Sequence, residues 1–385
     1  MSVSRLSHIS KIGVEQMGEL ADSLSDPEVL RLENLDTDIR PPASALTFTK
    51  EAVMDDDANS YLPFFGLDSI RKSATKLVSQ KSGNIYNWKG ECLISAGGLS
   101  GVLNVLLATL EVGDKVLMTD PTYVGLINRV RLAGGIPIFI SLIANEDGWR
   151  LNTAELAEIS TENIRAALIM SPSMPTGAVF NQEEWKAICE FVKKVDAWLI
   201  YDAAMERILF DDLSVIHPAS FEGMRERTIT IGAASKEYRM IGWRVGWIVG
   251  PAEIMADVAR VSISNVVCQT GIAMGAVTVA IEEENDGIKE MNEELEKRRD
   301  LILEELKDFR IIKPHGGWSL FLDVSVLGME STEASKRLLE KGKIAATPMI
   351  NWGSENANKY VRFVFSNESL DRLAGIGERV KMALL

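Results

Sequence analysis

The chain has 385 residues, of which 46% are hydrophobic and 25% charged, with a net charge of −14 and a pI near 4.9. That acidity argues against a nucleic-acid partner, because phosphate backbones are bound by clustered Lys and Arg. Three cysteines, Cys92, Cys189 and Cys268, are too few and scattered for a disulfide framework or zinc site, no apolar run reaches membrane-spanning length, and the N-terminus lacks an apolar signal core. A soluble cytoplasmic protein without a metal is therefore expected, large enough for one large domain and a smaller one, each with a core of its own. From about residue 90, short β-rich runs at 92–96, 115–119, 136–142, 166–170, 197–201, 228–232 and 245–249 alternate with amphipathic stretches, and this reads as a largely parallel α/β sheet. Among the helices between them, 182–194 carries Trp185, Ile188, Cys189 and Val192 on one face. After residue 280 the pattern changes to a long charged helix (288–307), a strand WSLFLDV, a helix (333–341), a strand YVRFVFS and a last helix, which reads as a separate α+β domain.

The segment SKEYRMIGWRVGW (235–247) sets Lys236 after Ser235 and places Arg244 eight positions on. A lysine amine forms a Schiff base with a carbonyl, and an arginine can hold a phosphate. Pyridoxal 5'-phosphate (PLP) carries an aldehyde and a phosphate, so one short segment can anchor both of its ends. Taken singly, Lys236 is equally a solvated lysine and Arg244 the partner of some carboxylate. Upstream, SAGGLSG (95–101) follows the first strand and opens a helix, where glycines let backbone N–H groups approach a phosphate. Tyr123, in DPTY, and Asp202, in LIYDAAMER, fall at the ends of the second and fifth strands, where ligands gather in parallel α/β sheets.

In motif order from Tyr61 to Arg362, the chain resembles the class I/II aminotransferases of PLP-enzyme fold type I. The resemblance implies a large domain (46–279) with a mostly parallel seven-stranded sheet flanked by helices. It also implies a smaller α+β domain, formed by residues 280–385 with the N-terminal arm (1–45) folded back onto it. The activity implied is transamination of an α-amino acid to its 2-oxo acid by a ping-pong mechanism. Lys236 would be both the Schiff-base residue and the general acid/base. The site would comprise the Gly98 and Leu99 amides, Ser235 and Arg244 at the phosphate, Tyr123 stacked on the pyridine ring, and Asp202 beside its nitrogen. Arg362 would grip the substrate carboxylate as a planar fork, with Trp318 and Leu35 near the substrate. Tyr61 would reach the phosphate of a neighbouring subunit, which makes the expected unit a homodimer. A rival reading on the same residues is β-elimination or decarboxylation; a PLP-responsive regulator without catalysis is disfavoured because no DNA-binding segment is appended.

Several positions depart from the family pattern. Met174 stands where an asparagine is usual and Met205 where a tyrosine is usual, and both of those residues donate to the cofactor's phenolic oxygen; methionine cannot donate. The Lys236 Schiff base is accordingly expected to stay protonated to higher pH, unless Ser171 or Ser173 reaches that oxygen or the methionines simply fill volume. Leu35 replaces a frequent glycine near the substrate, and Leu99 a small or hydroxyl residue. Glu237 and Arg239 are expected to form surface pairs. Trp318 and Leu126 lean toward a substrate with an apolar or aromatic side chain.

Overall fold

The computed structural model describes residues 3–385, except for the side chains of residues 4 and 5. Its main element is an eight-stranded sheet whose strands begin, in spatial order, at Cys92, Gly246, Thr228, Trp198, Ile164, Lys115, Ile136 and Gly148. The five strands from Thr228 to Ile136 pair in parallel, and the others are antiparallel. Each of the seven runs read from the sequence forms a strand; the eighth, Gly148–Leu151, is a short antiparallel addition hairpinned to Ile136–Asn145. Four residues with one turn before them give too little alternation to be read in advance.

The four parallel strands Lys115–Asp120, Ile164–Met170, Trp198–Asp202 and Thr228–Ala233 are buried along nearly their whole length, as sheets with helices on both faces require, while Ile136–Asn145 toward the edge is only partly buried. The crossover helices are Gly98–Thr109, Val124–Leu132 and Gln182–Lys194. The last has the bounds its periodicity predicts and begins with a capping box between Asn181 and Glu184. This winding brings the carboxyl ends of the strands at Ser95, Asp120, Met170, Asp202 and Ala233 to one edge of the molecule.

A second, four-stranded antiparallel sheet orders Ile311–Ile312, Ser319–Asp323, Tyr360–Val364 and Thr347–Pro348, and Arg362 lies on its inner strand opposite Phe321 and Thr347. The two sheets share one core and keep smaller clusters of their own, two on the large sheet and one between the arm and the small domain. One hydrophobic cluster runs from the large sheet into the small one, with the Trp149 ring edge-on to Phe321 at 5.6 Å and Tyr360 at 5.5 Å. The expectation of a core for each domain is met only in part, since the largest cluster is shared, and the contact between the sheets is aromatic.

The N-terminal arm divides its contacts. Leu30–Arg31 pairs in parallel with Ile344–Ala345, and Leu32 C=O accepts from Val364 N–H, so this part sits on the small sheet. Ser10 instead exchanges two hydrogen bonds with Asn128, at 3.0 and 2.8 Å, on the large-sheet helix Val124–Leu132. The first turns of the arm thus cross to the large sheet rather than folding wholly onto the small one. Between these anchors the helix Gly13–Leu24 begins at the mouth of a cavity.

Candidate active site

The gathered strand ends and the arm enclose a cavity of about 470 Å³. Lys236, Asp202, Tyr123, Gly98, Leu99, Ser235, Arg244, Arg362, Leu35, Met174 and Met205 all line it, so residues far apart in the chain meet in one place. Two expected residues do not. Tyr61 is 86% exposed, outside this chain's own cavity. Trp318 is buried and presents its ring centroid 4.4 Å from Lys236 Nζ, so it backs the lysine rather than forming the cavity wall expected of a substrate contact.

Lys236 sits on a single helical turn after the strand Thr228–Ala233, and its Nζ donates to the Leu35 carbonyl at 2.8 Å. Burial lowers its pKa from 10.5 to about 7, Arg362 and Arg244 push the same way, and Asp36 opposes them. Asp202 is 5% exposed; burial raises its pKa to about 6, although Ala204 N–H and the charge of Arg129 pull it down.

Around the first turn of Gly98–Thr109 the backbone is built for close approach. Gly97 has φ +85°, and a Cβ there would lie 2.5 Å from an Arg244 guanidinium nitrogen. A Cβ on Gly246 would fall 2.7 Å from the Gly97 carbonyl carbon. Arg244 donates to Ser235 Oγ at 3.3 Å and to the Ile241 carbonyl at 2.8 Å, and forms no ion pair among the described residues. Free N–H groups at a helix start, a hydroxyl and an unpaired guanidinium make an anion cradle.

Arg362 is fully buried, with burial lowering its pKa to about 10, yet it pairs with no carboxylate among the described residues. One terminal nitrogen donates to the Glu33 carbonyl at 2.6 Å, and Nε has no partner. Trp352, which sequence reasoning missed, lies with its ring centroid 4.7 Å from this guanidinium and 5.4 Å from the Tyr123 ring. It braces both side chains from behind. Gly125 leaves room for Tyr123, since a Cβ there would lie 2.4 Å from the tyrosine ring.

Met174 and Met205 are 6% and 1% exposed and wall the cavity, with Met170 beside them at the end of its strand. Ser171 Oγ accepts from Phe180 N–H at 3.0 Å, while Ser173 Oγ is buried without a partner; neither serine lines the cavity. Glu237 and Arg239 are not surface pairs, as expected, but are 2% and 6% exposed. Glu237 accepts from Arg207 N–H at 3.0 Å and Arg207 Nε at 2.6 Å, tying the Lys236 turn to the loop after Asp202. Arg239 caps the Glu237 and Asp286 carbonyls at 2.7 and 2.6 Å. Both are buried because the two loops close over each other, a tertiary contact that local spacing does not reveal.

The residues fit PLP: an uncharged-leaning lysine, a buried carboxylate, a tyrosine ring and an anion cradle open on one cavity. The sequence matches the model of the family "Aminotransferase class I and II" over residues 30–375. A probable aspartate/prephenate aminotransferase of Aquifex aeolicus is 32% identical over 353 residues, 88% of this chain and 87% of that one. An aspartate aminotransferase of Pyrococcus abyssi is 28% identical over 98% of both chains. The structure of N-succinyldiaminopimelate aminotransferase from Mycobacterium tuberculosis superposes with a TM-score of 0.90 at 28% identity, covering 99% of each chain. The chain belongs to the class I and II aminotransferase family, with the fold type I architecture. It is a PLP-dependent aminotransferase, and no finding favours the lyase or decarboxylase reading.

Proposed function

We propose that Lys236, Asp202, Tyr123, Arg244 and Arg362 carry the transamination of an α-amino acid, each in the role its surroundings favour. The observation that carries this reading is a pair of cations, the half-buried Lys236 and the fully buried Arg362, which open on the same cavity with no acid partner among the described residues. A buried unpaired cation is costly unless an anion or electrophile arrives to meet it. Bound in this cavity, PLP supplies an aldehyde for Lys236 Nζ and a pyridine ring that accepts the electrons left when a substrate Cα loses its proton.

The chain's own residues do the rest. Arg244, Ser235 and the Gly98 and Leu99 amides hold the phosphate. Asp202 keeps a proton on the ring nitrogen, a carboxylate in a dry site being a strong partner for that charge. Tyr123 fixes the ring plane by stacking. Arg362, which lines the cavity without a carboxylate partner among the described residues, grips the substrate carboxylate. Lys236, with an amine close to neutral at physiological pH, takes the proton from substrate Cα and returns it at the other reacting carbon.

Domain limits near residues 46 and 280, a homodimer and a cytoplasmic location complete the proposal. Exposed Met54, Tyr61, Phe64 and Phe65 favour a second copy covering this face, with Tyr61 reaching its phosphate site. The three cysteines are free, as in a reducing compartment, and no described helix is long and apolar enough to cross a membrane. Borohydride reduction of the PLP-loaded enzyme followed by peptide mass mapping tests the site: a pyridoxyl group on Lys236 is expected, and its appearance on another lysine would overturn the assignment. Ammonia release from an amino acid without any 2-oxo acid acceptor would refute transamination as the main reaction.

A further inference from the structure

The relatives bear names with different substrates, so similarity leaves the amino-acid side chain open, whereas the cavity wall does not. Three cations line the cavity, and each has a partner in the proposed function: Arg244 the phosphate, Lys236 the aldehyde and Arg362 the substrate carboxylate. None of this chain's own lining cations is left for a second carboxylate. Arg129, nearby, donates to the Leu99 and Gly125 carbonyls at 2.9 and 2.7 Å and does not line the cavity.

Apart from Asn34 and Glu15, the remaining wall is apolar. Ile12 and Val14 come from the arm, Leu35 from the segment that also receives the Lys236 hydrogen bond, Leu126 from the helix after Tyr123, and Ile241 from the turn before Arg244. Glu15, in the first turn of Gly13–Leu24, adds an exposed carboxylate at the mouth and forms no ion pair among the described residues. The arm is held in place from both sides, by the Ser10–Asn128 bonds and by Leu30–Arg31 on the small sheet.

We infer that the amino acid is one with an apolar side chain, of the leucine, methionine or phenylalanine class, and that Ile12, Val14 and Glu15 of the N-terminal arm select it against dicarboxylates. The inference rests on the reading of Arg362 as the substrate-carboxylate grip. An apolar side chain gains by leaving water for the apolar wall, whereas a second carboxylate would be dehydrated without a cation and would face Glu15.

Two measurements on the PLP-loaded enzyme test this. In initial-rate assays, kcat/KM for L-leucine, L-methionine or L-phenylalanine is expected to exceed that for L-aspartate and L-glutamate by about 100-fold. In calorimetry, 4-methylpentanoate is expected to bind at least about 10-fold more tightly than succinate, independently of turnover. Val14→Arg should raise kcat/KM for aspartate and lower it for leucine, and Glu15→Gln, at an exposed site that leaves folding intact, should raise the aspartate-to-leucine ratio of kcat/KM. Aspartate or glutamate outrunning leucine, while reduction still places the pyridoxyl group on Lys236, would overturn the substrate class only. Loss of turnover for every amino acid together with labelling elsewhere would overturn the site assignment beneath it.

Discussion

Replacing Lys236 by Met in the cofactor-free protein makes the cost of its burial measurable. Lowering the lysine pKa from 10.5 to about 7 corresponds to about 5 kcal/mol if the whole effect reports on folding. The side chain is partly exposed to the cavity, and water there screens some of the charge, leaving roughly half as the lower figure. Because the folded pKa lies below the unfolded one, the cost is fully present below the folded value and is relieved as pH rises toward the unfolded value. The wild type is therefore expected to gain about 1–3 kcal/mol relative to Lys236→Met between pH 7 and about 9.5. Loss of the donor to the Leu35 carbonyl costs the variant about 1 kcal/mol, but equally at every pH. Urea unfolding followed by tryptophan fluorescence, run on both proteins across this range, gives the difference. Parallel stability curves would refute the argument, since they would mean that Lys236 titrates in the folded protein as it does in the unfolded chain.

Gly97→Ala should strain a left-handed backbone position and push the Arg244 guanidinium, costing about 1–3 kcal/mol and weakening PLP binding by about 10-fold or more in an equilibrium titration; unchanged affinity would remove this turn from the cradle. Glu237→Ala leaves Arg207 half-satisfied beside Asp286, and should lower stability by about 2–4 kcal/mol, with Glu237→Gln recovering part of it, as read from denaturant midpoints. Equal losses in the two variants would mean that charge rather than the hydrogen bonds carries the contact. With Met174 and Met205 offering no donor to the ring oxygen, the Lys236 Schiff base is expected to stay protonated above neutrality, and a spectrophotometric titration with its midpoint below neutrality would refute this.

What could be read from the sequence follows from what is local. Buried strands and the helix Gln182–Lys194 declare themselves by period and capping, and Lys236, Asp202 and Gly98 sit in segments whose residue types suit one chemistry. Trp352, Ile12, Val14 and Glu15 join the site only through tertiary contacts hundreds of residues apart, with no local pattern to mark them. Met170 is an exception, because a strand-end residue facing a ligand edge could have been proposed from the same rule that selected Asp202. Glu237 and Arg239 show the converse failure: a charged pair beside a reactive lysine reads as solvated until two loops are seen to close over it.

The arm's place at the cavity mouth bears on how such an enzyme changes over generations. Its first helical turn is solvent-facing at Glu15, whereas Ile12 and Val14 pack against the shared core, so only changes at Glu15 would alter what enters while leaving that core and the proton-transfer residues untouched. A lineage could thus shift its diet through the exposed charge at position 15 at little risk to its fold, whereas the apolar arm residues are bound to both specificity and stability.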